Sequence, residues 1–198
     1  VIVAPHENEH RADDTEIVID ASGRVGYRDE RPDDRTVEGI LLRRWTGERS
    51  GPPQWGEHHA HRQVAVMESL RCAGCAGPPD VDRRGTLWVL PATGTRLAGD
   101  PSGPLLVATP PLCLADAAEV LHEYRHLRHG ALVLRVTEAE VVGVRGTVYG
   151  HHGETLPDEV VLFGDPRAQR VVADQLIREI TRAEVDGTTL SSLTGRLT

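Results

Sequence analysis

Three cysteines and one aspartate carry the spacing with the most chemistry in this chain. Cys72 and Cys75 form a C-x-x-C pair, Cys113 follows far downstream, and Asp116 stands three residues after it, so the set reads C-x2-C-x37-C-x2-D. Two ligand pairs, each with a two-residue gap, are what a tetrahedral zinc site needs, because a turn or one helical turn then brings both donors of a pair to one side. Thiolate sulfur suits this borderline-soft ion, and a carboxylate oxygen can complete its shell, so Asp116 is the first choice of fourth ligand. His122 or His126 is the alternative, or water, which would leave a catalytic opening. A decayed site that holds no metal is the last alternative.

A second motif competes. His122-Glu123-Tyr124-Arg125-His126 spells H-E-x-x-H. On a helix its two imidazoles share one face and can hold zinc while Glu123 polarises a water, the arrangement of a zinc hydrolase. Against it stand the charge of Arg125 inside the motif and the early stop at Gly130. Other clusters carry less. His58, His59 and His61 open a helix and point different ways, and His151-His152 belongs to a loop. Asp13-Asp14 and Asp33-Asp34 read as solvated loop charges. Ser50, Ser69 and Ser102 lack a nucleophile-elbow context. No glycine-rich phosphate loop occurs. Trp45, Trp55 and His59 mark where a small-molecule tailoring enzyme would place its pocket.

The elements around the cysteines follow from periodicity. Residues 16–20 and 25–29 read as a hairpin closed by Ala21–Arg24, and 39–45 as a further strand. Residues 58–70 read as a helix, with Val64, Met67 and Leu70 on one side, ending into Cys72. Residues 86–90 are a strand, and 105–109 the strand returning beside it. Pro110-Pro111 opens a helix over 112–124 that carries Cys113 and Asp116 on its first turn. Residues 131–136 and 141–149 read as an antiparallel pair, and 159–163 as another strand. Asp165-Pro166 starts a C-terminal helix running to about residue 182, and the tail after Asp186 reads as frayed. The expected fold is α+β: a single domain, 1–198, of antiparallel strands. A zinc module over 71–126 is inserted between N-terminal strands (15–46) and C-terminal strands plus helix (131–183).

Composition narrows the function classes. The chain has 198 residues, 39% hydrophobic but only 4% aromatic, so its core must rest on Val, Leu, Ile and Ala. All 22 basic residues are Arg, which fits a high-GC genome. A net charge of −8 counts against nucleic acid as partner, since such binding neutralises phosphates with cations. The one local basic cluster is Arg125, His126, Arg128 and His129. No apolar run is long enough to cross a membrane, and no secretory leader pattern appears. An odd number of cysteines suits metal-bound thiolates in a reduced, cytoplasmic setting better than a disulfide framework.

A cysteine turn, a hairpin, and a ligand pair on a helix's first turn resemble the treble-clef zinc finger over roughly residues 71–126. Wider matches are Gly56–His59, Arg62-Gln63, Cys72 to Cys75 with Gly77-Pro78, Leu87–Leu90, Pro110–Cys113 with Ala117, and His126–Gly130. Through these the chain resembles an uncharacterised zinc-binding family of filamentous high-GC actinobacteria. Asp116 and Tyr124 stand where that family tends to have cysteines. The resemblance implies a zinc-binding treble clef and brings no settled activity. Zinc is thus the expected cofactor, and the expected function is a metal-stabilised binding or scaffold protein with an unknown protein or small-molecule partner.

Overall fold

The computed structural model describes residues 2–12, 16–92, 105–124, 127, 130–150 and 154–194. Its fold is α+β. Among these residues, seven strands join in one mixed sheet. Its path is β4 (Leu41–Leu42), β11 (Val171–Val185), β9 (Ala131–Tyr149), β7 (Gly85–Pro91) and β6 (Val81–Asp82). β10 (Thr155–Leu162) pairs with β9, and β8 (Leu105–Val107) with β11. β4 runs parallel to β11, while β6 on β7, β7 on β9, β10 on β9 and β8 on β11 are antiparallel. The chain divides into two compact units, one of Val1–Ile2, Val66–Val141 and Arg178–Thr198, the other of Val3–Ala65 and Val142–Ile177.

The first unit holds the cysteines. Strand alternation puts Trp88 and Leu90 of β7 opposite Leu134 and Leu132 of β9, and Leu105 of β8 opposite Ile180 of β11. Trp88, Leu90, Leu105, Val107, Leu134, Val136 and Ile180 close into one core, with Leu70 packed against it. The Trp88 indole N–H is not lost in that core, since it donates to the Thr109 carbonyl at 2.7 Å. Gly85 makes the β6–β7 turn at φ +123°, where a Cβ would sit 2.4 Å from the Val136 carbonyl oxygen. Helix α2 (Leu114–Glu123) buries Ala117 and Leu121 and leaves Leu114 exposed.

The C-terminal expectation is corrected. Asp165 does cap a helical start with Pro166 behind it, but only a 3-10 turn, Pro166–Arg170, follows before β11 begins. Val172, Leu176 and Ile180 are spaced by four, which falls on one face of a helix and equally on one face of a strand. Ala173 and Ile177, on the opposite strand face, are buried as well. One broad helical stripe would also hold all five, so burial does not choose; pairing with β4, β8 and β9 makes the segment a strand. A C-terminal helix does form, but as α3 (Gly187–Thr194), inside the stretch expected to fray. Asp186 caps it, accepting from the Thr189 N–H at 3.0 Å. It packs against α2.

Three other expectations change. Residues 131–149 form one strand of 19 residues, because Thr137–Glu140 offers no turn residue to break it. β8 joins β11 rather than returning beside β7. Side-chain alternation defines which face a strand buries, not which edge it joins. Residues 39–45 split into β4 and β5 (Trp45–Gly47) around Arg43 and Arg44.

In the second unit, β1 (Glu9–Arg11) pairs with β5, and β2 (Ile17–Ile19) with β3 (Val25–Tyr27) in the expected hairpin. The Asp20 carboxylate ties its turn through the Ser22 and Arg24 N–H groups. Val25, Tyr27, Leu41, Tyr149 and Val172 form the core there. Arg44, nearly buried, lies 4.0 Å over the Tyr27 ring and pairs with Asp34. Gln63, also buried, bonds both backbone groups of Leu176 through its amide.

Candidate metal centre

The route to the first cysteine is set by the end of helix α1 (Ala60–Glu68). Leu70 takes a left-handed φ of 49°, the Arg71 N–H returns to the Val66 carbonyl at 2.8 Å, and the Leu70 N–H to Met67 at 3.5 Å. These two bonds form a Schellman cap, which reverses the chain at a helix C-terminus. The buried Arg178 guanidinium donates to the last carbonyls, Met67 and Glu68, and to Ala139. Cys72 emerges two residues past that cap. Its N–H bonds the Gly77 carbonyl and its carbonyl accepts from the Ala76 N–H, both at 2.9 Å, so residues 72–77 form one closed turn.

The second pair arrives by a different path. Leu112 donates to Leu87 of β7 at 3.0 Å and accepts from Asp80 at 2.9 Å, while Pro111 accepts from Ala73 at 2.9 Å. These bonds lay residues 111–112 between the hairpin and the cysteine turn. Cys113 then caps α2, with φ −81° and ψ 164°, and its sulfur accepts from the Asp116 N–H. A sulfur here takes the place of the usual serine or aspartate oxygen.

The four side chains converge. One ligand atom from each of Cys72, Cys75, Cys113 and Asp116 lies within 4.8 Å of every other. Donors around a tetrahedral zinc, at about 2.3 Å for sulfur, stand about 3.8 Å apart, so the set is near that size. Asp116 Oδ2 accepts from Cys72 Sγ at 2.9 Å and Cys113 Sγ at 3.0 Å, and Cys75 also donates to this carboxylate. The Cys72 sulfur receives N–H groups from Gly74 at 3.4 Å and Cys113 at 3.2 Å, and from Cys75. Backbone donors aimed at sulfur favour the thiolate that a metal needs.

Electrostatics without metal oppose ionisation. Burial, and then the Asp116 carboxylate, push the Cys72 thiol up to about 12. The same causes raise Cys113. Burial alone would raise Asp116, yet the thiol donors outweigh it and hold its carboxyl below the usual range. A cation at the centre reverses this balance by replacing the S–H protons.

Gly74 has a role that backbone freedom does not describe. Its φ is ordinary, but a Cβ there would lie 2.2 Å from Asp116 Cγ and within 2.6 Å of both carboxylate oxygens. Only glycine leaves room for the aspartate. No local pattern marks this role, because the contact joins residues far apart in sequence. A second network was also illegible. Buried Arg135 and Asp186 pair at 2.9 Å and extend to Arg84 and Asp80, fastening the β6–β7 hairpin to the start of α3. No two of these groups stand in a recognisable motif.

Among the described residues, the remaining candidates do not gather. His122 and Glu123 are exposed at the end of α2, which stops at Glu123 with Tyr124 already extended. A shared face across an uninterrupted helix is therefore not formed through Tyr124. His126, with Arg125, Arg128 and His129, lies outside the described residues, as do His151-His152, Asp13-Asp14 and Ser102. Ser50 accepts from the Asn8 amide, and His61 Nε2 bonds the Asp33 carbonyl. His59 stacks on Trp45 with centroids 5.4 Å apart. Burial, then nearby arginines, push both His58 and His59 down to about 4, so both are neutral. Among the described residues, the cysteine–aspartate group is the one that could hold a metal, and no helix is long and apolar enough to cross a membrane. Comparison of the chain with protein-family models, curated proteins and solved structures finds no match.

Proposed function

We propose that this protein binds zinc in a closed Cys3Asp centre whose role is structural, and that it serves as a binding or scaffold protein. The observation that carries the reading is the convergence of three thiols on the Asp116 carboxylate over a residue that only glycine can fill. Three soft sulfur donors and one oxygen suit zinc better than the hard cations. Four protein donors leave no coordination position for a substrate. When bound, the ion would supply folding energy by joining the cysteine turn to α2. The order of turn, β6–β7 hairpin and helix N-terminus supports a treble-clef-like module, and the actinobacterial resemblance belongs to the same proposal. A reduced, cytoplasmic setting fits three cysteines without a disulfide among them.

Elemental mass spectrometry on the wild type and Asp116→Ala tests this. One zinc per wild-type chain, lost or weakened in the variant, is the expected outcome. No metal in the wild type would overturn the reading. Zinc held equally well by Asp116→Ala would move the fourth ligand elsewhere and reopen the hydrolase reading.

A further inference from the structure

Resting on that metal-centre reading, we propose that the same centre is a peroxide-sensitive switch, in which hydrogen peroxide joins Cys75 to Cys72 as a disulfide and releases the metal. Cys72 is buried, Cys113 is half-buried, and Cys75 is exposed. Oxidation is selective for accessible thiolates, so Cys75 is the sulfur that peroxide reaches first. Gly77 lies beside the Cys75 sulfur, and an added Cβ there would stand only 3.2 Å away. That approach therefore carries no side chain to shield the sulfur.

The partner sulfur is set by the turn. Cys72 and Cys75 share the closed loop of residues 72–77, and the Cys75 N–H itself points at Cys72 Sγ. Their sulfurs lie within 4.8 Å. Rotation about the Cα–Cβ bonds covers the approach to an S–S bond of about 2.05 Å. Cys113 sits on a separate element, held by its capping bond to Asp116.

The chemistry balances. The Cys75 thiolate attacks one peroxide oxygen, the O–O bond breaks, and hydroxide leaves to become water, giving a sulfenic acid. The Cys72 thiolate attacks that sulfur, the S–S bond forms, and the S–O bond breaks to release a second water. Two electrons pass from the sulfurs to peroxide, and two protons come from solvent. Cys113 and Asp116 then remain as the only two donors, and a two-donor site does not retain the ion.

The test uses the full chain loaded with zinc and treated with hydrogen peroxide in the presence of a chromophoric chelator. Metal release is followed by colour, and the thiols are mapped by alkylation and mass spectrometry. The expected result is one zinc released per chain, a Cys72–Cys75 disulfide, an alkylated Cys113, and zinc rebinding after reduction. Gly77→Ala keeps every ligand and is expected to slow release several-fold by covering the Cys75 sulfur. Zinc retained under peroxide, release without a disulfide, or a disulfide that includes Cys113 would overturn the switch while leaving the metal centre standing. A chain that never loads zinc would instead overturn the centre, and the switch with it.

Discussion

Replacing Gly74 with alanine tests the geometry of the centre most directly. The added Cβ would stand 2.2 Å from Asp116 Cγ. Carbon atoms in contact keep about 3.5–4.0 Å, so the carboxylate must retreat by about 1.3–1.8 Å. Metal–ligand distances tolerate about 0.2 Å, so Asp116 can no longer ligate. Loss of a group supporting a zinc ligand weakens binding about 10–100-fold, and loss of the ligand itself should reach at least that, about 1.4–2.8 kcal/mol. Competition with a chromophoric chelator measures it. The decisive comparison is a double-mutant cycle, with Gly74→Ala made in wild type and in Asp116→Ala. Once the carboxylate is gone, the alanine has nothing to displace and should cost little further. Equal weakening in both backgrounds would refute the steric argument and place the effect in the backbone of the turn.

Other outcomes follow from the same structure. With the Cys72 thiol pushed up to about 12 and Cys113 also raised, zinc loading at neutral pH should release protons and strengthen as pH rises, as titration in weak buffer would show. Because the folded Cys72 pKa lies above its ordinary value of 9.0, the metal-free protein should be fully stabilised by it below pH 9.0 and lose that stability as pH climbs toward about 12. Chemical denaturation across that range, with and without zinc, checks the sign. Ala76 holds a left-handed φ of 57°. Ala76→Gly removes about 1 kcal/mol of strain against about 0.5–1 kcal/mol of added chain entropy, so the midpoint should stay level or rise, not fall. Arg135→Met should destabilise by about 3 kcal/mol in urea, because it strips a cation from the buried Asp186.

What was legible in the sequence was local. A two-residue gap places both donors of a pair on one side of a turn or helix, whatever surrounds them, so Cys72 with Cys75 and Cys113 with Asp116 could be read as pairs. The β2–β3 hairpin and helices α1 and α2 were legible for the same reason, since turn residues and apolar periods act within a few positions. Residues 171–182 were not, because a spacing of four satisfies both a helix and a strand. Pairing with β4, β8 and β9 decides between them.

The sequence by itself thus determined the donor types, their pairing and their spacing. Only the tertiary structure decided that the two pairs meet. The bonds from Leu112 to Leu87, from Asp80 to Leu112 and from Ala73 to Pro111 bring α2 to the cysteine turn, and each joins backbone groups, which no side-chain pattern encodes. The same holds for Gly74, whose missing side chain makes the space for Asp116. Close contact between residues remote in sequence depends on how every intervening element packs, and that is a property of the whole fold.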